Sequence, residues 1–268
     1  MKKNISFIFL LFSISSVNIY AQEFSISIFP EEKLFSTYYA DAVAHQFSLS
    51  KSFKTSEWYG NIGALIPFLN VSLLKQNFQI SAGATAFNTL IKTPGHITVF
   101  TVDYLVDFFV DSRIAENFTG RFIWGHLSAH FADDGITILN ANPVSYVRDY
   151  AGLHFQHSFN NVNGKIYSGV FYNFHNEPVL DQHFTFQIGG DAGVQMVNKI
   201  IAYASLDIKF KSEVNYGTTQ SYQVGLIYPS FSNRSLRFAI THRRGFEERG
   251  QLFNLKDNKT MAGIYFDF

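Results

Sequence analysis

An all-β, antiparallel transmembrane β-barrel of about 12 strands is the fold class that this sequence predicts, and three observations lead to it. Aromatic residues make up 17% of the chain, with 30 Phe and 14 Tyr, yet the mean hydropathy is only +0.02. After the first two dozen residues no apolar run approaches the roughly 20 residues that a membrane-spanning helix needs. Apolar and polar residues instead alternate with a period of two, the signature of a strand with two different faces. Many aromatics without long apolar runs suit a wall that shows one face to lipid and the other to a polar interior.

The N-terminus reads as a secretory signal. Lys2 and Lys3 form a short positive region, and Ile5 to Val17 is apolar with a few serines. Ile19-Tyr20-Ala21-Gln22 then predicts cleavage after Ala21, so residues 1–21 are the signal peptide. There is no cysteine, which removes both a lipoprotein anchor and a disulfide framework. The 21 basic and 21 acidic residues balance to zero, which argues against a nucleic-acid surface. Residues 22–41 are read as an N-terminal arm or plug segment; Phe24 to Phe29, leading into Pro30-Glu31-Glu32, is either a short extra strand or part of that arm. Residues 42–268 form the barrel, and no repeat, Pro-rich linker or charge block divides them.

The alternation predicts strands at 42–54, 58–70, 76–91, 97–112, 117–131, 143–160, 164–175, 182–195, 199–211, 217–230, 235–247 and 258–268. Val102, Tyr104, Val106, Phe108 and Val110 alternate with Thr101, Asp103, Asp107 and Asp111. Phe184, Phe186 and Ile188, then Leu206 and Ile208, then Phe238 and Ile240 define the apolar face of later strands. Phe, Tyr and Leu are expected outward, and Asp, Lys and Arg inward. Asp103, Asp107, Asp111, Lys209, Lys211, Arg237 and Arg243 are read as lumen-filling charges that pair with one another. The longest connections, around Asp133-Asp134-Gly135 and over 248–257, follow odd-numbered strands, where outer loops belong.

The final residues Ile264, Phe266 and Phe268 alternate with Tyr265 and Asp267. A closing strand is required physically, because an open sheet edge cannot sit in lipid. Ending on Phe looks like the signal read by the barrel assembly machinery. The expected location is the bacterial outer membrane and the expected partners are its lipids, with the oligomeric state left open.

One segment suggests chemistry, Phe122-Ile123-Trp124-Gly125-His126-Leu127-Ser128-Ala129-His130. Residues two apart on a strand share a face, so His126, Ser128 and His130 point with Phe122 and Trp124. A Ser hydroxyl needs a base to take its proton, and His126 is placed to do so. A third polar group should orient the imidazole. A hairpin turning near Asp133-Asp134-Gly135 brings Asn140 or Asn142 beside that pair, as cross-strand neighbours about 5 Å apart. Acyl transfer also needs a stabilised oxyanion, from backbone amides or a bound Ca²⁺, for which Asp133 and Asp134 are candidate oxygen ligands. His126 and His130 are four strand residues, roughly 13 Å, apart and do not share an ion without a bulge. Histidine and serine near a strand end also serve ordinary polar contacts at headgroup level.

The H-x-S-x-H-x-x-D-D run, with Val102-Asp103-Tyr104, Ser145-Tyr146-Val147-Arg148-Asp149-Tyr150, Tyr167-Ser168-Gly169-Val170 and Phe266-Asp267-Phe268, resembles the bacterial family known as domain of unknown function 1207. That resemblance implies an outer-membrane barrel and no established activity. The His-x-Ser pair with a polar partner is also similar to outer-membrane phospholipase A and the lipid A deacylases. Those are barrels whose dyad faces the membrane and cuts acyl esters. On that likeness Ser128 is the nucleophile, His126 the general base, and Asn140 or Asn142 the residue orienting it. Two functions stay open: a Ser/His acyl hydrolase acting on phospholipid or lipid A, and a non-catalytic structural barrel or narrow pore. Deletion of Phe268 is predicted to reduce insertion. The reading fails if the shortened chain still shows the normal heat-modifiable band on a gel.

Overall fold

The computed structural model describes residues 24–73, 76–132, 135–159, 163–230 and 234–268. The expected signal peptide, 1–21, and the pair Asp133 and Asp134 lie outside the described residues. The strands are β1 (Phe24–Ile28), β2 (Phe47–Ser52), β3 (Glu57–Leu73), β4 (Gln76–Thr93), β5 (His96–Ala115), β6 (Phe118–Phe131), β7 (Tyr146–Phe159), β8 (Asn163–Glu177), β9 (Phe184–Gln195), β10 (Ile201–Lys211), β11 (Gly217–Pro229), β12 (Ser235–Phe246) and β13 (Lys256–Asp267). A short helix, α1 (Gly135–Leu139), sits in the β6–β7 loop.

Strands β2 to β13 pair antiparallel in chain order, and β13 returns to β2 with Ile264 opposite Leu49, closing the barrel. The extra strand β1 pairs with β3, Phe24 opposite Leu73, on the edge that the short β2 leaves open further along. An unpaired edge in hydrocarbon costs several kcal/mol for each lost backbone bond, and β1 gives partners to Leu69–Leu73 of that edge. The one-residue slip in the β3–β4 ladder falls at Pro67 and Leu69, where proline has no N–H to offer.

The faces follow the alternation. Phe184, Phe186, Phe238 and Ile240 are exposed on the outside. Asp103, Asp107, Asp111, Lys209, Lys211 and Arg237 are buried in the lumen. Burying lone charges is costly; all of these but Asp103, which accepts from a backbone amide, have an ion-pair partner. Arg121 meets Asp111 at 2.5 Å, Lys165 meets Asp191 at 2.8 Å, and Arg237 meets Asp267 at 2.7 Å.

Residues 30–46 run through the lumen. Tyr38 stacks on Tyr167 with ring centroids 3.5 Å apart, and its hydroxyl meets His154 Nδ1 at 3.1 Å. Asp41 takes an ion pair from Lys209 at 2.5 Å, and Gln46 accepts a bond from Arg237 at 2.8 Å. The loop 247–255 folds over the end that carries the longer connections. There the Gly250 amide donates to Asp103, Gln251 donates to the carbonyls of Ala129 and Val144, and Lys259 pairs with Glu247. The space left in the lumen includes cavities of about 90 and about 100 Å³, each the size of a few waters rather than a solute channel.

Two expectations need correcting. The strand expected at 42–54 is the shorter Phe47–Ser52, because residues 42–46 turn inward with the lumenal segment. Tyrosine sorts to both faces: Tyr104, Tyr172, Tyr222 and Tyr228 are exposed, as expected. Tyr59, Tyr146, Tyr167, Tyr203 and Tyr265 are buried, because each hydroxyl finds a polar partner in the lumen.

Glu213, in the β10–β11 loop, bridges two lumenal cations, Arg148 at 3.0 Å and Lys211 at 2.8 Å. Burial alone raises its carboxyl pKa, but Lys211 and Arg148 outweigh burial and hold it below the usual range. A depressed carboxylate contributes stability above its unfolded pKa and loses that contribution as pH falls through the folded value. Glu213→Gln is therefore expected to destabilise the barrel by about 3–5 kcal/mol at pH 7, leaving two buried cations without their anion. The deficit should vanish at a pH low enough to protonate wild-type Glu213. Heat-modifiability at both pH values checks this, and an equal deficit at both contradicts it.

Candidate active site

Three adjacent strands build a polar row on the outer face near the loop-bearing end. Ladder pairing sets His126 on β6 opposite Asp149 on β7, and Asp149 opposite His175 on β8. His126 Nδ1 lies 2.5 Å from Asp149 Oδ1, and His175 Nδ1 lies 2.7 Å from Asp149 Oδ2. A carboxylate only accepts, so each imidazole donates through Nδ1 and leaves its Nε2 free. The side chains are 50%, 27% and 56% exposed for His126, Asp149 and His175, so the row faces outward and not into the lumen.

Ser128 shares this face two residues along β6, in the next row, between Tyr104 on β5 and Val147 on β7. Ser128 and His126 share the outward face but are not hydrogen-bonded to each other: among the described residues the Ser128 hydroxyl has no side-chain hydrogen-bond partner, and His126 bonds through Nδ1 to Asp149. On the other side of the polar row lie Trp124, Ala151 and Tyr172 in register, with Phe108 stacked on Trp124 at 6.0 Å. Aromatic rings of this kind mark the boundary between headgroups and hydrocarbon.

The register corrects the expected third member. Asn140 ends α1 with a left-handed backbone, φ 46°, and Asn142 lies in the loop before β7 begins at Tyr146. Neither sits across from His126 or Ser128. The connection is longer than a tight hairpin, so the residue opposite His126 is Asp149. His175 carried no sequence signal as a site residue. Asp149 stood only in the Ser145–Tyr150 stretch quoted for the family resemblance. His130 shares the outer face and packs its ring at 6.1 Å against Tyr104, apart from the polar row.

The lumenal side of the wall braces the row. Asp107 accepts from the Tyr150 hydroxyl at 2.6 Å and meets His45 Nε2, from the lumenal segment, at 2.8 Å. Gly125, the residue before His126, makes room for that contact: a Cβ there would fall 1.9 Å from Asp107 Oδ1 and 2.7 Å from the Tyr150 hydroxyl. Gln251 ties the carbonyl of Ala129, next to Ser128, to the folded loop.

Neither Ca²⁺ ligand expected from the sequence lies among the described residues, and no group of three or more His, Asp or Glu among them is placed to hold an ion. Gly125→Ala should split the Tyr150–Asp107 bond and lower the heat-modification temperature of the barrel. An unchanged transition would show that the wall behind His126 is not held by this contact.

Comparison with curated proteins finds no match. Among solved structures, the outer membrane phospholipase (OMPLA) dimer of Salmonella typhi with bound calcium is similar in fold, with 14% identity and a TM-score of 0.53. The match covers 89% of this chain and 94% of that one. Outer membrane phospholipase A from Escherichia coli matches at 13% identity and a TM-score of 0.52, over 87% of this chain and 99% of its own. An active-site mutant of the Escherichia coli protein matches at 14% and 0.51, over 88% and 92%. At these identities the likeness is one of fold, a barrel of the outer-membrane type. The sequence itself carries the family assignment: the chain belongs to the family described as protein of unknown function (DUF1207), whose model matches residues 16–268.

Proposed function

We propose that the protein resides in the outer membrane and hydrolyses acyl esters of membrane lipids, either phospholipid or the lipid A portion of lipopolysaccharide. Ser128 is the nucleophile, His126 the general base, and Asp149 the carboxylate that orients the base. The observation carrying this reading is the 2.5 Å contact of His126 Nδ1 with Asp149, beside Ser128, on the outward face of the barrel. Ionisable groups on a lipid-facing surface are expensive, and a bonded row of them points to a functional site by default. The fold likeness to outer membrane phospholipase A points to the same substrate class.

In this mechanism Ser128 Oγ attacks the ester carbonyl carbon while His126 Nε2 takes the hydroxyl proton. Asp149 keeps the proton on Nδ1 and stabilises the imidazolium that forms. The tetrahedral intermediate collapses, the C–O bond to the lipid alcohol breaks, and His126 returns its proton to that alkoxide. The products of this half are the lyso-lipid and acyl-Ser128. Water, deprotonated by His126, then attacks the acyl carbon, the bond to Ser128 Oγ breaks, and His126 returns the proton to that oxygen as the fatty acid leaves. No step is routed through calcium. The lumen, filled by residues 30–46 and covered by 247–255, does not favour a pore.

Hydrolysis of labelled phospholipid and of lipopolysaccharide in mixed micelles, with and without Ca²⁺, tests the reading. Ser128→Ala should lower kcat by about 10³-fold or more, His126→Ala nearly as much, and Asp149→Ala by roughly 10²–10⁴-fold. A folded Ser128→Ala barrel with full activity ends the hydrolase reading. A wild type inactive on every lipid under all these conditions makes the non-catalytic barrel the better account.

A further inference from the structure

We infer that His175 is a positioning residue for the Ser128–His126 pair, acting through Asp149. This rests on the proposed hydrolase reading for its kinetic consequence but not for its geometry. The β7–β8 ladder carries a bulge: Asp149 faces His175 while Tyr150 faces Asn173, so Phe174 is an extra residue. Asn173 points into the lumen, where its amide meets Ser212 at 3.0 Å. Simple alternation from Asn173 turns residue 175 inward as well. The inserted residue reverses that parity and turns His175 outward, onto the row. Bulges that re-aim a side chain are over-represented beside active sites.

The consequence is a carboxylate held at both oxygens. Asp149 Oδ1 takes His126 and Oδ2 takes His175, from the strands on its two sides. A carboxylate with one partner rotates freely about its terminal bond and offers His126 a poorly aimed acceptor. With both oxygens engaged, its plane is set by two neighbouring strands, and His126 keeps the Nδ1–H tautomer, whose Nε2 carries the lone pair that a base needs. His175 touches neither nucleophile nor base, so its effect passes entirely through Asp149.

His175→Ala and His175→Asn, made in the full barrel, test this with two readouts. The amide of Asn donates from about where Nδ1 stood, so His175→Asn should restore what His175→Ala loses. The first readout is ¹⁵N spectroscopy of histidine-labelled protein in micelles. Wild type and His175→Asn should show His126 fixed as the Nδ1–H tautomer, and His175→Ala should show a mixture. The second is kcat on labelled phospholipid, expected to fall roughly tenfold in His175→Ala with KM within about twofold, and to recover in His175→Asn. A tautomer change in a protein that hydrolyses nothing supports the positioning role while removing the hydrolase reading. An active wild type whose His126 tautomer and kcat are both unchanged in His175→Ala overturns the positioning role and leaves the hydrolase reading standing. Equal loss in His175→Ala and His175→Asn also overturns it, since the lost element is then not a donated hydrogen bond.

Discussion

In hydrocarbon every backbone N–H and C=O must be bonded within the sheet, and this requirement organises the molecule. It forces closure, with β13 returning to β2 and β1 pairing with Leu69–Leu73 at the far end of β3. It also forces a two-faced strand, since side chains can only alternate between lipid and lumen. A lumen lined with Asp, Lys and Arg is stable only if those charges are paired. Residues 30–46 supply part of that pairing, through Asp41 to Lys209 and Gln46 to Arg237. The same segment sends His45 to Asp107, directly behind the wall that carries His126.

Much of this was legible from alternation alone, because period two is a local property. The strands around Asp103–Asp111, Phe184–Ile188 and Leu236–Ile240 followed from it, with Phe outward and charge inward. The outward placement of His126 and Ser128 beside Trp124 followed from the same parity. The partners across the sheet did not. Asp149 is 23 residues from His126, and their pairing depends on how much chain the β6–β7 loop consumes. Assuming a tight hairpin selected Asn140 and Asn142, but α1 and the residues around it lengthen the connection, and β7 starts only at Tyr146. His175 was hidden for a sharper reason: a bulge reverses parity, and no local pattern marks where one residue has been inserted. Tyrosine misled in a third way, since hydrophobicity sorts its ring outward while its hydroxyl seeks the lumenal partners that Tyr167 and Tyr203 find.

The outer row departs from the rule that most of the described wall follows, with Phe, Ile, Leu and Val outward and carboxylates inside. A second outward polar cluster, Arg244 with Gln220 and Tyr222, carries a cation but no carboxylate. In the outer row a carboxylate stands outward, bonded on both sides by imidazoles, next to an unpartnered serine hydroxyl and above an aromatic belt of Trp124 and Tyr172. In the hydrocarbon an alanine or leucine would cost less at that position than Asp149. A base that must work at a lipid ester gains an oriented imidazole there. Its support comes from both sides of the sheet, His175 on the outside and the Tyr150–Asp107–His45 contacts on the inside.

The central claim is that Ser128 is an activated nucleophile facing lipid, and covalent trapping tests it most directly. The intact barrel in micelles is treated with a lipid-tailed phosphonyl fluoride, digested, and its modified residue located by mass spectrometry. One adduct per chain is expected, on Ser128, and none when His126 is replaced by alanine. An adduct on a different residue, or an unmodified Ser128 in a barrel shown to be folded, would contradict it.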